Sequence, residues 1–480
     1  MPDSITQAQP PLEFIPPAFN PLIYHATKLA LPAWVRWQVQ LVDIQVNQAE
    51  RLLDLYQQFQ AGNIRFMMAF RHPSTNDPYS LYYLLSQCLP KVAKQQGIKL
   101  QYPLHAHFMY DRGIPLWAGE WTGQLYAGLG GTPIRRGKLD LVGLRSARQL
   151  FTDGRFPMAA APEGATNGHN EIVNPIEPGV SQLGFWCQED LQKAGRTEQV
   201  MIVPIGIQYH YVSTPWQAIE QLLSELEADV GLAPDVSDSK HDSNLGTQTI
   251  EFTPSSIQQN HLYKRLIRLG ERLLSLMEDF YRKFYHQSFA PIAPPTDLGK
   301  EPGVNQQIAQ RLQALMNAAL SVAEEYFGIQ PKGNVNDRCR RLEQAGWDRI
   351  YREDLKQLEN LPAVERGLAD RIAEEANLRL WHMRLVESFV SVTGQYVLEK
   401  PTVERFAETS LLLWDMVARI KGKNPFLRPK LGAQRVQMTI GTPLSVSDRW
   451  EGYQANRRQA VAQLTQDLQT ALESMIESNG

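Results

Sequence analysis

A histidine and an aspartate with the spacing of a general base and its orienting carboxylate lie in the stretch FRHPSTNDPY. His72 and Asp77 follow Ile64–Phe70, an apolar run typical of a buried strand, and precede a stretch of helical length. A loop between strand and helix can fold Asp77 back onto the imidazole, which fixes the tautomer and stabilises the imidazolium. The same residues would also be found if His72 were satisfied by local hydrogen bonds and Asp77 only capped the following helix.

A second stretch, AGLGGTPIRRGK, offers an anion site. Its glycines let the backbone approach a ligand closely, and Arg135 and Arg136 present planar donor forks for phosphate or carboxylate. Lys138 adds a point charge. Two arginines that extend into solvent would produce the same pattern without any ligand.

The third and fourth stretches are APEGATN and VPIGIQYHY. The third stretch predicts a tight turn that aims Glu163 outward. There it could hold a hydroxyl or anchor an arginine of AGLGGTPIRRGK, although a plain turn is the alternative. In the fourth stretch, Pro204 removes one backbone N–H donor from a predicted strand. We therefore expect a bulge or a strand end there, lining a ligand channel.

Other chemistries find little support in the sequence. His105 and His107 share one face of a predicted strand, but no third ligand at fitting spacing is visible, so we expect no metal site. Three cysteines without CxxC spacing indicate neither a disulfide framework nor a zinc knuckle, which fits a reducing cytosol. Phosphate-loop and dinucleotide motifs are missing, as is the G-x-S-x-G motif of hydrolases.

Composition sets the general class of protein. The chain has 480 residues, 43% hydrophobic and 21% charged, with a net charge of −3, an ordinary globular profile that does not favour nucleic acid. No signal peptide or membrane span is predicted. The stretch PLIYHATKLALPAWVRWQVQLVDIQV suits either a membrane interface or a helix packed on the core. We expect a cytoplasmic protein, peripherally associated with a membrane.

The elements that must position these residues alternate between strand and helix, which predicts an α/β fold with a mostly parallel sheet flanked by helices. The predicted strands are Ile64–Phe70, Ala106–Tyr110, Thr132–Arg135, Phe156–Ala161 and Val200–Tyr211. The predicted helices between them are Tyr79–Gln95, Leu116–Leu129, Leu139–Phe151 and Val180–Lys193. Parallel sheets place their sites beyond the carboxyl ends of the strands.

The pattern also predicts a division into domains. Residues 1–60 are expected to hold an irregular segment and the interfacial or packing helix, and residues 61–215 an α/β core. Residues 216–431 are rich in helix-period stretches and predict a large α-helical insertion of unassigned role. Strand character returns in QRVQMTIGTPL, so residues 432–480 are expected to complete the core.

Taken in order, the four stretches resemble the glycerolipid acyltransferases, the family that includes the 1-acyl-glycerol-3-phosphate acyltransferases. That family shows H-x4-D, then GxxFIxR, then FPEGTRS, then a VPxxI strand. Here the corresponding segments are RHPSTND, GGTPIRR, APEGATN and VPIGI. The resemblance covers roughly residues 25–212 and 433–476.

This chain departs from the family pattern at several positions. Arg71 replaces the usual asparagine, and Pro133 replaces the phenylalanine of the second motif, although Arg136 keeps its arginine. In the third motif Thr166 stands where the family has an arginine that meets the acceptor phosphate. Arg71, Arg135 or Lys138 could compensate. The resemblance therefore implies intact acyl-transfer residues but leaves the acceptor open.

The resemblance implies an acyltransferase that needs no metal or cofactor and takes acyl-acyl carrier protein or acyl-CoA as co-substrate. His72 would be the general base and Asp77 its orienter, while Glu163 and Gly164 position the glycerol. Arg135, Arg136, Lys138, Thr166 and Pro204 complete the substrate-binding set. Alternatives are a hydrolase or an inactive lipid-binding scaffold.

The substrates that this resemblance implies also suggest where they bind. The expected acceptor is 1-acyl-glycerol-3-phosphate, with glycerol 3-phosphate or an unphosphorylated alcohol as alternatives. An apolar trough beside Pro115–Leu129 would take the fatty chain, and acidic acyl carrier protein could dock on the basic stretch Lys421–Lys430.

Overall fold

The computed structural model describes residues 6–135, 140–233, 254–289, 304–355, 360–387, 395–425 and 427–476. The chain divides into two compact units. The sheet unit comprises Leu12–Val212 and Ala433–Gly480, and the helical unit comprises Met1–Pro11 and Ser213–Gly432. The four stretches that could do chemistry all belong to the sheet unit.

The strands described in the sheet unit form one eight-stranded sheet. They are β1 Leu41–Asn47, β2 Ile64–Phe70, β3 His107–Asp111, β4 Thr132–Ile134, β5 Met158–Ala160, β6 Gln199–Tyr211, β7 Gln434–Ile440 and β8 Leu444–Ser445. The order across the sheet is β1-β7-β6-β2-β5-β3-β4, and β8 pairs with β6. This mixed, mostly parallel sheet confirms the predicted α/β class.

Strand direction determines which loops meet. β6, β2, β5, β3 and β4 are parallel, so their carboxyl ends share one edge of the sheet, here called the carboxyl edge. β7 is antiparallel to β6, and β1 is parallel to β7, so both begin at this edge. The loops after β2, β5, β3 and β4 therefore lie side by side.

Helices make up most of the remaining described structure. The α-helices are α1 Pro21–Ala33, α2 Ala49–Gln60, α3 Asp77–Tyr83, α4 Leu89–Gln95, α5 Ile114–Ala118, α6 Trp121–Gly128, α7 Leu141–Asp153, α8 Gly179–Lys193, α9 Trp216–Asp229, α10 Pro254–Tyr285, α11 Val304–Phe327, α12 Val335–Ile350, α13 Ala363–Glu387, α14 Tyr396–Glu399, α15 Val403–Ile420, α16 Trp450–Ala455 and α17 Arg457–Ser474. Two π-helical turns, Trp34–Val39 and Leu84–Cys88, follow α1 and α3. Helices α9–α15 belong to the helical unit.

The core of the sheet unit lies on both faces of β2, which is buried at every position. Phe66 and Met68 belong to a cluster with residues of α1–α4, whereas Met67 and Ala69 belong to a cluster with residues of α7, α8 and α17. The alternation follows from the two-residue period of a strand, and burial on both faces explains why β2 reads as a continuous apolar run.

Most predicted elements of residues 61–212 are confirmed. β2 has the predicted bounds, and β3–β6 agree to within a few residues. The helix predicted over 116–129 is instead two helices, α5 and α6, because the chain turns at Gly119 with a φ of 101°. Such a backbone angle is cheap only for glycine.

The segment from Pro21 to Val46 differs from its prediction as a single helix. α1 and a π-helical turn occupy its first part, but Leu41–Asn47 forms strand β1, paired with β7. Its partner is far away in sequence, so the pairing could not be recognised locally. The alternation in LVDIQVN was concealed within a longer apolar run.

Close packing of α12 on α13 in the helical unit depends on Gly346. A Cβ atom built at this position would lie 2.5 Å from Leu380 Cγ, whereas nothing lies within 4 Å of one built at Gly270 on α10. We expect Gly346→Ala to lower the free energy of unfolding by about 1–3 kcal/mol through overpacking. The control Gly270→Ala should raise it by roughly 0.5–1 kcal/mol, because alanine favours a helix. Urea denaturation measures both, and equal effects would contradict this packing.

Candidate active site

The candidate site lies at the carboxyl edge, where the loops after β2 and β5 meet. These strands pair with Ala69 opposite Ala160, so His72 and Glu163 emerge next to each other. The His72 backbone N–H donates to Glu163 Oε1 at 2.8 Å, and the His72 carbonyl accepts from Asn167 N at 3.3 Å. Both sides of the histidine backbone are thus bonded to the loop after β5.

His72 and Asp77 form the predicted pair. Nδ1 of His72 lies 2.8 Å from Oδ2 of Asp77, and the histidine side chain is 20% exposed while the aspartate side chain is fully buried. Because a carboxylate only accepts hydrogen bonds, Nδ1 carries the proton and Nε2 carries the lone pair. None of the described residues forms a hydrogen bond to Nε2. The imidazole can therefore take a proton from an incoming group.

Asp77 is held by more than the histidine. Oδ2 also accepts from Ser74 N at 3.0 Å, and Oδ1 accepts from the Tyr209 hydroxyl at 2.6 Å. Burial, and next the negative charge of Asp77, raise the pKa of Tyr209 well above its ordinary value. The phenol therefore stays protonated and donates, and the carboxylate can turn only by losing bonds on both oxygens.

Neither Tyr209 nor the residue that holds it is among the residues predicted from the sequence. The Tyr209 backbone N–H donates to Asn170 Oδ1 at 2.7 Å, and Asn170 Nδ2 donates to the Tyr209 carbonyl at 2.9 Å. Alternation along β6 places Tyr209 on the same face as Ile205 and Ile207, which is the face that α3 covers. That alternation is the signal that could have found it.

Glu163 does not point outward as predicted. It is 3% exposed, and Oε2 accepts from Asn167 Nδ2 at 2.8 Å and from Asn174 N at 3.0 Å, in addition to the bond from His72 N to Oε1. Burial raises its pKa, while the positive charge of Arg71 acts in the opposite direction. Its contacts make it a positioning residue for the His72 loop, because its oxygens are already occupied by the protein.

Arg71 is likewise a buried, structural side chain. It has no exposed surface, and its guanidinium donates to the carbonyls of His169 at 3.2 Å and Ile172 at 2.6 Å, and also to that of Asn170. These bonds tie the end of β2 to the loop after β5. A compensating role for Arg71 in binding an acceptor phosphate is therefore wrong for this arrangement.

Two further predicted residues line the turn after β5. Gly164 has a φ of 74°, and its N–H donates to the Ala161 carbonyl at 3.2 Å. Thr166 is exposed and lies beside Asn167, the residue that bonds to the His72 carbonyl.

Arg135 lies farther along the carboxyl edge, after β4. Its backbone N–H donates to Asp140 Oδ2 at 2.9 Å, and Asp140 also pairs with Arg112 and caps α7 through Gly143 N. β4 is three strands from β2, which corresponds to roughly 14 Å at a strand spacing of about 4.8 Å. Arg136 and Lys138 lie outside the described residues.

The side chains of His105 and His107 bond to the backbone of the glycine-rich stretch. His105 Nε2 donates to the Leu129 carbonyl and His107 Nδ1 to the Gly130 carbonyl, both at 2.7 Å. Burial lowers the pKa of His105 to about 4, so this ring is neutral at physiological pH. Within the described ranges, no group of three or more His, Cys, Asp or Glu side chains could hold a metal ion.

Pro204 neither ends nor bulges its strand, contrary to the prediction. β6 runs through it from Gln199 to Tyr211, with Pro204 paired opposite Ala69 of β2. On its other side β6 pairs with β8 at Met201 and Ile202 and with β7 from Ile205 onward. The proline lies between these two ladders, just past the end of β7, where its carbonyl still accepts from Gly441 N at 2.9 Å.

Comparison with models of known protein families, with curated proteins and with solved structures gives no match to the chain. In the part of the chain that the structure describes, no helix is long and apolar enough to cross a membrane.

Removing the Tyr209 hydroxyl should destabilise the protein. Tyr209→Phe leaves Oδ1 of the buried Asp77 without its donor, and we expect the free energy of unfolding to fall by about 1–3 kcal/mol. The matched control is Tyr110→Phe, because the Tyr110 hydroxyl is buried and finds no hydrogen-bond partner among the described residues. Urea denaturation of both variants tests this assignment. A loss in the control as large as that in Tyr209→Phe would contradict it.

Proposed function

We propose that this protein is an acyltransferase that moves a fatty acyl chain from a thioester to a hydroxyl group of a glycerolipid acceptor. The observation that supports this proposal is the His72–Asp77–Tyr209 chain of hydrogen bonds, which leaves Nε2 of the partly exposed His72 side chain as an acceptor at the carboxyl edge. This is the arrangement that a general base requires.

The chemistry follows from that arrangement. Nε2 of His72 takes the proton of the acceptor hydroxyl while its oxygen attacks the thioester carbonyl. The resulting imidazolium is stabilised by Asp77, whose carboxylate is held by Tyr209 and Ser74 N. When the tetrahedral intermediate collapses, the carbon–sulfur bond breaks and the imidazolium returns the proton to the departing thiolate. An ester and a free thiol result.

The acceptor we favour is 1-acyl-glycerol-3-phosphate. Arg135 stands on the same sheet edge as His72, roughly 14 Å away by strand spacing, and its long side chain can reduce that separation. Arg136 and Lys138 follow it in sequence and would add to the positive charge. A phosphorylated glycerol spans the region between a cation and a base, so its free hydroxyl would face Nε2.

The fatty chain needs an apolar groove. A groove with a volume of about 480 Å³ lies between residues 13–23 and α6. Its lining is mixed, with apolar side chains such as Phe14 and Ile23 beside the polar side chains of Asn20 and Gln124. This volume is within the range of small-molecule sites. The Arg112 guanidinium lies over the Phe14 ring, with Cζ 5.4 Å from the ring centroid, and Arg112 follows β3 at the carboxyl edge. We propose that the groove receives acyl carbons beside α6.

The helical unit is proposed to be an insertion into the acyltransferase core. The chain leaves the sheet unit after Val212 and re-enters at Ala433, and the adjoining residues Tyr211 and Gln434 are paired in the β6–β7 ladder. The stretch Lys421–Lys430 supports the docking of acyl carrier protein less than its sequence suggested. Lys421 pairs with Asp229 and Arg428 with Asp415, so these cations are already engaged.

Loss of the imidazole should abolish most of the activity. With a labelled acyl-CoA and 1-acyl-glycerol-3-phosphate, we expect His72→Ala to lower kcat by about 10²- to 10⁴-fold, and Asp77→Asn to lower it within that range. The control His286→Asn changes an exposed histidine of the helical unit, where the φ of 53° suits asparagine, and should leave kcat unchanged.

Two results would overturn the proposed reaction. Transfer that survives the loss of His72 would reject the catalytic assignment. A wild-type protein that transfers acyl groups to no acceptor, from acyl-CoA or from acyl-acyl carrier protein, would favour a lipid-binding scaffold. Label released as free fatty acid would instead indicate a hydrolase.

The identity of the acceptor is tested at the arginines. We expect Arg135→Ala and Arg136→Ala each to raise KM for 1-acyl-glycerol-3-phosphate by roughly tenfold or more, because each removes a charge-assisted hydrogen bond, and to leave KM for monoacylglycerol unchanged. Arg145→Ala, on the exposed surface of α7, controls for net charge. Equal activity on phosphorylated and unphosphorylated acceptors in all variants would remove the phosphate-binding role.

A further inference from the structure

Helix α13 of the helical unit has a buried face and an exposed face, and both carry apolar side chains. The buried face includes Ala369, Ala373, Ala376 and Leu380. The opposite face presents Val364, Leu368 and Leu378, which are 75%, 61% and 55% exposed. A helix that is apolar on both faces is normally covered on both, and the described residues of this chain cover only one face of α13.

The exposed face has the spacing of a coiled-coil seam. Intervals of four, three, four and three residues separate Val364, Leu368, Arg371, Glu375 and Leu378. This alternation is that of the a and d positions of a heptad repeat, which places the side chains in one row that can face a second helix. These five residues are called here the outer seam of α13. The seam is about 21 Å long, at about 1.5 Å per residue.

The order of apolar and charged residues in the outer seam is complementary to its own reverse. In an antiparallel pair of identical helices, a two-fold axis at the level of Ala373 sets Leu368 against Leu378 of the partner subunit. The same axis sets Arg371 against Glu375 of the partner subunit, and symmetry repeats both contacts. A parallel pair would instead place each of these charges against its own copy, which is unfavourable.

The residues beside the outer seam fit the same axis on one flank. There Ile372 meets Ile372 of the partner subunit, and Glu365 lies opposite Arg379 of the partner subunit. On the other flank Glu374 meets its own copy, which is unfavourable, but each Glu374 also pairs with Arg371 of its own helix. The flanks therefore add an apolar contact and two further pairs of opposite charge.

Two ion pairs within α13 compete with these contacts between copies. Arg371 lies 2.8 Å from Glu374, and Glu375 lies 3.7 Å from Arg379. The Arg371 side chain is 79% exposed. Because exposed ion pairs contribute little in water, the helix loses little when these charges turn toward a partner that excludes water from them.

We propose that two copies of this chain associate through the outer seam of α13, as an antiparallel helix pair related by a two-fold axis. A second copy is the occupant because the seam is complementary to itself, and no other partner requires that property. The inference goes beyond the proposed reaction, since every residue of the seam belongs to the helical unit. The seam is short, so we expect weak association, with a dissociation constant of roughly 1–100 µM.

Charge reversal tests the pairing. We expect sedimentation equilibrium to show a wild-type dimer at about 100 µM protein. Arg371→Glu or Glu375→Arg alone turns both central pairs of opposite charge into like-charge pairs, so each should raise the dissociation constant at least about tenfold. The control Arg366→Glu makes the same change of charge on the side of α13 away from the outer seam, where the arginine is exposed, and should dimerise as wild type does.

Restored pairing separates a contact between copies from a loss of helix stability. The double variant Arg371→Glu/Glu375→Arg exchanges the two charges of each central pair and should dimerise as wild type does. An equimolar mixture of the two single variants should likewise form a heterodimer, because each reversed charge then meets its opposite. Both residues are exposed, so folding should be retained, which circular dichroism checks.

Three results would overturn the inference. Wild-type protein that is a monomer at about 100 µM would assign the exposed face of α13 to a different partner. A wild-type dimer that both single variants retain would place the interface elsewhere. Single variants that lose the dimer and regain it neither in the double variant nor in the mixture would reject the antiparallel arrangement.

The dimer and the proposed reaction are tested separately. His72→Ala should dimerise as wild type does, because His72 lies in the sheet unit. A dimer without any transferase activity would sustain the outer seam and reject the reaction. Transferase activity in a wild-type protein that is always a monomer would do the reverse.

Discussion

A carboxylate buried beneath a sheet edge keeps its place only if the protein supplies hydrogen bonds to both oxygens, and the candidate site depends on how Asp77 meets this requirement. Its three donors come from two parts of the chain: the His72 ring and the Ser74 amide from the loop after β2, and the Tyr209 hydroxyl from β6. The loop after β2, the start of α3 and the end of β6 are thereby joined at one point. The contact with Asp77 also fixes the tautomer of His72, since Nδ1 must donate to the carboxylate.

The parallel sheet determines which other residues can reach this point. β5 is adjacent to β2, so the loop after β5 bonds to His72 directly, through Glu163 and Asn167. β4 lies three strands away, so the loop that carries Arg135 does not adjoin His72.

Much of the architecture could be predicted because the strands of a sheet covered on both faces are continuous apolar runs, and β2 has the predicted bounds. The pair His72 and Asp77 was visible because both residues fall in one short loop. β1 was missed since its partner β7 lies far away in sequence. Tyr209 was missed for a related reason: the alternation along β6 gives the face on which it lies, but its contact with Asp77 spans two elements and no local pattern gives that partner.

By itself, the sequence determined the α/β class, the position of the His72 loop and the order of the chemically useful stretches, since these depend on local periodicity and spacing. Only the tertiary structure decided the direction of each side chain. Glu163 turned out to be buried and bonded to the protein, Arg71 to be occupied by carbonyls, and Pro204 to lie in a gap between two ladders. Each outcome depends on donors and acceptors brought from distant segments, and burial makes an unpaired polar group too costly for any other arrangement.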